Sequence, residues 1–423
     1  MKEDFLHYVW KYKLFDVSTL FTQNNEEVEV INFGLHNTDA GPDFFNGKVK
    51  IGETIWAGNI ELHINSSDWI KHKHQTDKAY DNVILHVVYN NDSVIEDKDD
   101  NELPTIELKS LINKNLLTKY EQLVHQTDTV PCGKQIKTVD EFTINSWLNR
   151  LAIERLERKS EEIQATLQQN KNNWEETFYQ YLFKYFGLKV NALPFELLAK
   201  NTSLKIIEKH NSLFSIEALL FGQAGYLTKE IEDEYHQKLK KEYHFLKSKF
   251  DLTPLDKSLW KLLRLRPSNF PTIRIAQLAQ LLSMSTRVFS KIIDAESVKE
   301  MQELYYVQAS EYWDTHYQFG ELGKEEQQKK IGINTINNII INVIVPFIFV
   351  YGKANQDEKL VNKALKLLES IKAENNSIIK NWTELGVKSS NAMHTQSLLE
   401  LKNNYCSQKK CLNCSIGNKI IQQ

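Results

Sequence analysis

The hydrophobic periodicity of this 423-residue chain changes along its length, and that change limits the folds open to it. After a short amphipathic segment at 3–13, the segments 28–33, 44–51 and 54–64 alternate apolar and polar residues, as half-buried strands do. The segment 83–89 (VILHVVY) is nearly all apolar, which is typical of a central strand covered on both faces. The N-terminal part of the chain is therefore predicted to contain a sheet.

Two more elements complete the prediction for this region, a helix over 66–80 and an edge strand over 104–108. From about Ile144 onward the apolar residues recur at helical spacing. We therefore predict an α+β protein in which an N-terminal α-β-β-β-α-β core is followed by a long all-α region. The predicted domains are an α/β domain (1–120), a helical region (121–400) and a cysteine-rich C-terminal segment (401–423).

Composition excludes several classes of protein. The formal net charge is −3, so no global positive field draws the chain onto nucleic acid. The charged N-terminus matches neither a signal peptide nor a transit peptide. The longest apolar stretch, Ile339 to Tyr351, contains Asn342 and Pro346 and is too short to span a bilayer, so it is predicted to be a buried helix. We expect a cytoplasmic protein without membrane association.

Acidic and histidine side chains are concentrated between Gly34 and His86. Strand side chains alternate, so Glu61 and His63 should project side by side, and Asp43 at the start of the neighbouring strand should reach the same rim. An Asp and a Glu on adjacent strands suit Mg²⁺ or Mn²⁺, with His63 as a third ligand or proton carrier. Asp43, Glu61 and His63 are thus the candidate catalytic and metal-binding residues, with a structural polar network as the alternative.

Four further histidines lie in the same stretch. His36, His72 and His74 are candidate accessory residues, although His72 and His74 also fit a solvated helix face. His86 sits in the apolar strand, where a hydrogen-bonded core histidine is the more common role.

The chain has only four cysteines, and three of them fall within nine residues, as Cys406-x4-Cys411-x2-Cys414. Such spacing favours a metal or cluster over free thiols in a reducing compartment. Cys132 is the only thiol available as a fourth ligand, so the four cysteines are predicted to hold either a [4Fe–4S] cluster or Zn²⁺.

The N-terminal pattern resembles the PD-(D/E)XK nuclease superfamily, through Pro42-Asp43 and Glu61-Leu62-His63. This resemblance implies a restriction-endonuclease-like core that binds magnesium and activates water to cleave DNA. His63 stands where that superfamily usually has lysine. The cysteine layout is similar to that of iron–sulfur nucleases in which one distant cysteine joins three near the C-terminus.

Phrases along nearly the whole chain, among them GLHNTDAGPDFFNGKVKI, LRLRPSNFPTIRIAQLA and YCSQKKCLNCSIG, are identified as those of an uncharacterised bacterial domain-of-unknown-function family. That resemblance implies a shared fold without an activity.

The leading functional hypothesis is a metal-dependent nuclease acting on DNA. The alternatives are a non-catalytic nucleic-acid-binding or scaffold protein on a nuclease-like core, and a small-molecule phosphoesterase. Arg264, Arg266 and Arg274 around the RPSNFP turn are candidate phosphate contacts, or else pair with buried acids or carbonyls. DNA is the expected partner, and the sequence does not indicate protein partners.

Overall fold

The computed structural model describes residues 1–423, which form two compact units. The first unit contains three stretches of the chain, Met1–Leu148, Asn381–Val387 and Leu399–Gln423. The second contains Asn149–Lys380 and Lys388–Leu398. The C-terminal segment therefore belongs to the same unit as the N-terminal sheet, and that unit extends past residue 120 to Leu148.

The chain is a mixed α+β protein, with an N-terminal sheet followed by many helices, as predicted. The strands are β1 (Val28–Asn32), β2 (Leu35–His36), β3 (Phe44–Ile51), β4 (Thr54–Asn65), β5 (Val83–Asn90), β6 (Thr105–Glu107), β7 (His316–Gln318) and β8 (Glu321–Leu322). Strands β7 and β8 form a small hairpin within the helical region, which the sequence did not predict.

The helices are α1 (Glu3–Lys11), α2 (Asp68–Lys71), α3 (Lys114–His125), α4 (Glu141–Gln169), α5 (Trp174–Phe186), α6 (Ala192–Asn201), α7 (Leu204–Ile207), α8 (Leu213–Gln223), α9 (Glu234–Phe250), α10 (Pro271–Met284), α11 (Val288–Asp294), α12 (Val298–Leu304), α13 (Tyr312–Thr315), α14 (Ile333–Ile339), α15 (Val345–Ala354), α16 (Glu358–Ser370), α17 (Ser377–Glu384), α18 (Ala392–Glu400) and α19 (Ser415–Gln422).

The six-stranded sheet has the order β1-β3-β4-β5-β6, with β2 pairing on β3. The β1–β3 and β3–β4 pairs are antiparallel, whereas β4–β5 and β5–β6 are parallel. Gly52, with φ +56°, forms the tight connection between β3 and β4. Because β5 runs parallel to β4, the chain must cross back between them, and residues 66–82 make that crossing.

The crossing corrects one prediction, since the helix expected over 66–80 is broken. Only α2 is helical, and two short 3₁₀ turns follow it at His74–Thr76 and Lys78–Tyr80. Lys73 adopts the left-handed conformation, φ +64°, which ends α2, and Asp77 accepts a hydrogen bond from the Ala79 N–H. Local turn chemistry thus overrides the helical pattern here.

The predicted apolar helix lies in the core of the second unit. Helix α14, a π-helical turn at Ile340–Ile344 and α15 form one continuous helix from Ile333 to Ala354. That helix has 22 residues, so by length and composition alone it would suffice to cross a membrane, whereas the sequence predicted a helix too short to do so. Inside the protein, 67% of its most apolar 18-residue window is buried. Val345, Phe347 and Ile348 are fully buried, as a core helix requires.

Candidate metal centre

Two carboxylates meet where β3 begins beside the middle of β4. A bulge lies in the β3–β4 pairing between Phe44 and Gly47, and Asn46 takes φ +57° within it. Bulges of this kind bend a strand and redirect its side chains. Asp43, just ahead of β3, lies beside Glu61 of β4.

Two hydrogen bonds from backbone N–H groups link Asp43 and Glu61 across the strands. The Asp43 N–H donates to Glu61 Oε2 at 3.0 Å, and the Leu62 N–H donates to Asp43 Oδ2 at 3.0 Å. Two acidic residues 18 positions apart therefore share one rim of the sheet, as the strand alternation predicts.

Three histidines gather beside Glu61. His63, on the same face of β4, is 1% exposed, and its Nε2 lies 3.0 Å from His72 Nδ1. One nitrogen from each of His63, His72 and His74 lies within 4.8 Å of the other two. Glu61 Oε1 lies 3.7 Å from His63 Nε2 and 3.4 Å from His74 Nε2.

His86 supports this group from the next strand. It pairs in register with Glu61 across the parallel β4–β5 ladder, and its Nε2 lies 2.9 Å from His63 Nδ1. His86 is fully buried and hydrogen-bonded, as predicted for a core histidine, and its hydrogen-bond partner is His63 of the cluster.

Helix α1 adds a histidine whose role the sequence left unassigned. His7 Nε2 lies 3.1 Å from Asp43 Oδ2, and His36 packs 5.8 Å from the His7 ring. Glu3 lies one helical turn before His7 and influences it electrostatically. The i, i+4 spacing of Glu3 and His7 on α1 is the only local signal of this contact in the sequence, and it is a weak one.

Burial dominates the electrostatics of the centre. Burial, and next the neighbouring Asp43 charge, raises the pKa of Glu61 to about 9. Burial, and next the nearby histidines, lowers the pKa of His63 to about 2 and that of His86 to about 3. His63 and His86 are thus neutral at physiological pH, and each has a lone pair available on one ring nitrogen.

The same cluster passes a simple test of fit to a metal ion. Two ligand atoms about 2.1 Å from an ion in tetrahedral geometry lie about 3.4 Å apart. The separations of 3.0, 3.4 and 3.7 Å among His63, His72, His74 and Glu61 bracket that length. Asp43 and Glu61 lie close to histidines and to no lysine or arginine, and a bound cation would take the place of the proton that the raised pKa of Glu61 implies.

The four cysteines also converge within the first unit. None forms a disulfide, and Cys132, Cys411 and Cys414 are buried. Burial raises the pKa of Cys132 to about 12 and that of Cys411 to about 11, and neighbouring thiols add to both shifts. The pKa of Cys406 is also raised, by burial first and then by the other three thiols.

The candidate arginines occupy two different environments. Arg264 and Arg266 are exposed. Arg274 is 4% exposed, and its guanidinium donates to Asn269 Oδ1 at 2.6 Å and to Gln277 Oε1 at 3.0 Å. Arg274 therefore fastens the RPSNFP turn, and only the other two are available for direct contact with a phosphate.

The fold and the site together define a class: an α+β protein with a buried carboxylate–histidine cluster on an N-terminal mixed sheet and a separate set of four thiols. The chain belongs to the family described as Protein of unknown function (DUF2851), whose family model matches residues 3–377. The match ends before the three C-terminal cysteines. No curated protein and no solved structure matches the chain.

Proposed function

We propose that this protein is a metal-dependent nuclease that hydrolyses phosphodiester bonds in DNA at the Asp43–Glu61–histidine centre. The observation that carries the proposal is the interlocked pair of carboxylates from neighbouring strands, with three imidazoles grouped beside them. The order of helix, antiparallel strands, crossing and parallel strand supports it, because the resemblance to the PD-(D/E)XK nucleases implies that order.

The environment of His63 suggests how it would substitute for a lysine. Its pKa is held near 2 by burial and by adjacent histidines, so it carries no charge to stabilise a phosphate. A neutral imidazole instead offers a lone pair from Nε2 toward Glu61 Oε1 and His72. We therefore assign His63 as a metal ligand rather than a cationic group.

The other residues of the centre would bind the ion, orient one another and hold protons. Glu61, His63, His72 and His74 would hold a divalent ion, with Asp43 beside them. Such an ion, when bound, lowers the pKa of a water and neutralises charge at phosphorus. His7 lies against Asp43 through Nε2. Burial opposes the protonation of His7, but Asp43 together with Glu3 and Asp4 outweighs burial and raises the His7 pKa. His72 is exposed, so the centre is open to solvent on its side.

The test uses the purified full chain with Mn²⁺ and end-labelled linear DNA, single- and double-stranded. We expect cleavage by the wild type and its loss in the isosteric double variant Asp43→Asn/Glu61→Gln. Asp39→Asn is the matched control, because Asp39 is an exposed acid in the loop before Asp43. Cleavage that persists in the double variant, or no cleavage by the wild type with Mn²⁺, Mg²⁺ or Zn²⁺, would overturn the proposal.

The histidine group favours one second candidate, a phosphoesterase acting on small molecules. Imidazole nitrogens suit Zn²⁺ or Mn²⁺ better than Mg²⁺, and three of them lie within 4.8 Å of one another. Hydrolysis of p-nitrophenyl phosphate without cleavage of DNA would favour this candidate over the nuclease.

A further inference from the structure

Two chain segments of the second unit present cations that no acid neutralises. The basic surface, as we call it, consists of four exposed residues from the turn after α5 and from the stretch between α9 and α10: Lys189, Lys261, Arg264 and Arg266. None of these four side chains takes part in an ion pair or a hydrogen bond, and the segment 257–270 contains no acidic residue. By contrast, Lys184 and Lys200 both pair with Glu196, at 3.1 and 2.7 Å.

The two segments are fixed to each other and to the core. The Asn191 side chain donates to the Lys261 carbonyl and accepts from the Lys261 N–H, each at 2.8 Å. The Trp260 indole donates to the Ala224 carbonyl at 2.7 Å and packs edge-on against Phe195. The basic surface is therefore held in place before any partner arrives, so binding would not have to order a loop.

The tip of the second segment places an arginine where the backbone favours glycine. The Leu265 N–H donates to the Leu262 carbonyl at 3.1 Å, so residues 262–265 form a β-turn. Arg264, at the third position, has φ +65°, a conformation that usually selects glycine or asparagine there. Leu263, at the second position, is 82% exposed. Backbone strain that displays a cation and an apolar side chain to solvent points to a binding site.

The chemistry of the basic surface fits a phosphate backbone better than a bilayer. Guanidinium groups bind phosphate oxygens through two parallel N–H donors, and each phosphate neutralised by a cation releases counterions from a nucleic acid. The most exposed leucines of the two segments, Leu263 and Leu193, carry fewer side-chain carbons together than one myristoyl chain, which by itself binds a membrane only marginally. An apolar side chain at a turn tip can instead pack between bases.

We propose that the basic surface binds the phosphate backbone of a nucleic acid, with Leu263 packed against its bases. The choice of DNA as the nucleic acid rests on the proposed function, but binding requires neither the metal centre nor cleavage. Because the contacts are to the backbone, the affinity depends on salt concentration and little on base sequence.

The experiment measures the binding of the full chain to fluorescently labelled duplex and single-stranded DNA by anisotropy, in EDTA so that no strand is cut. For the duplex we expect the logarithm of the association constant to fall with the logarithm of the salt concentration, with a slope of about −3 to −4. Arg264→Gly/Arg266→Gln removes two cations, while glycine keeps the conformation of the turn. Its affinity should fall about tenfold and its slope should become shallower by about 2. Thermal unfolding checks that the variant is folded.

Lys238→Gln/Lys299→Gln is the matched control, because it removes the same amount of charge from the second unit. Both lysines are exposed and pair along their own helices, with Glu234 at 2.7 Å and with Glu303 at 4.0 Å. The control should bind DNA as tightly as the wild type. Leu263→Ala should weaken binding without changing the salt slope, because it removes no charge.

Three results would overturn the proposal. The first is equal affinity and slope in the wild type and Arg264→Gly/Arg266→Gln, and the second is an equal loss in the control. The third is binding to vesicles of phosphatidylglycerol without binding to DNA, which would assign the surface to a membrane.

The binding test and the nuclease test fail separately. DNA binding through the basic surface without cleavage by any metal-loaded form would leave this inference standing and remove the proposed function. Cleavage by the wild type, with DNA binding that Arg264→Gly/Arg266→Gln does not alter, would do the reverse.

Discussion

His63 has both ring nitrogens engaged, and this restricts which of them carries the proton. Nδ1 faces His86 Nε2 at 2.9 Å, and Nε2 faces His72 and Glu61. A neutral imidazole has one N–H, so an Nε2 that binds a metal requires the proton on Nδ1, donated to His86. His86 would then orient the ligand as partners outside the coordination shell commonly do.

Replacement of His86 by alanine tests this role. We expect His86→Ala to weaken Mn²⁺ or Zn²⁺ affinity by roughly 10–100-fold, because His63 loses the partner that holds its ring and its proton. Competition against a metal-binding dye measures the change. His244→Ala, at an exposed histidine of α9, should leave affinity unchanged. Equal affinities in both variants would refute the role of His86.

A second buried carboxylate lies in the second unit and predicts a pH dependence of stability. Glu217 is fully buried, accepts from Ser310 Oγ at 2.9 Å and accepts from the Tyr235 hydroxyl. Burial raises its pKa from 4.5 to about 7. The folded state therefore holds the proton more tightly than the unfolded state does, and stability falls as the pH rises from about 4.5 through about 7.

Glu217→Gln should remove that dependence. Relative to the variant, the wild type is expected to lose roughly 2–3 kcal/mol of unfolding free energy between pH 5 and pH 8. Urea unfolding of both proteins at the two pH values measures it. Parallel pH profiles for the two proteins would show that Glu217 does not titrate as its burial predicts.

Among the elements, the crossing between β4 and β5 matters most for the site. In a continuous helix His72 and His74 would lie about 200° apart and face opposite ways. The left-handed residue between them, Lys73, breaks the helix, and both rings then lie 4.9 and 5.2 Å from the His63 ring. Tyr80 stacks on His74 at 3.8 Å and holds the second turn in place. A broken helix therefore builds the cluster.

A β-branched residue at position 73 should disturb this turn. Lys73→Val is expected to cost about 1–2 kcal/mol of unfolding free energy, because valine rarely adopts positive φ. Metal affinity should fall as His72 and His74 separate. Lys78→Val, at an exposed residue without positive φ, serves as the control in thermal unfolding and dye competition. Comparable losses in both variants would contradict this account of the turn.

The whole molecule is organised by the return of its C-terminus. Residues 399–423 belong to the first unit, although the whole second unit, Asn149–Lys380 and Lys388–Leu398, precedes them in the chain. The first unit is therefore incomplete until the end of the chain has docked on α1 and α3.

Truncation after Leu398 should consequently harm the first unit more than the second. We expect faster hydrogen exchange across α1 and α3, since both lose the packing of α19 and the cysteine segment. Helix α15, whose buried residues lie in the core of the second unit, should keep its protection. Equal protection of α1 in the truncated and full-length chains would show that the first unit folds without its C-terminal segment.

The sequence by itself determined the features that depend on neighbours along the chain. The alternation of β4 placed Glu61 and His63 on one face, and the helical spacing after about Ile144 located the long helical region, because strand and helix periodicities are local. The mixed α+β class follows from those periods.

The tertiary structure alone decided which distant groups meet. His7 approaches Asp43 because α1 packs on the sheet, and His86 reaches His63 because β5 pairs with β4 in one register. The turn at Cys411–Asn413 packs against α1, which lies about 400 residues earlier in the chain, for the same kind of reason. No local pattern encodes such contacts, since they arise from the burial of many apolar surfaces at once.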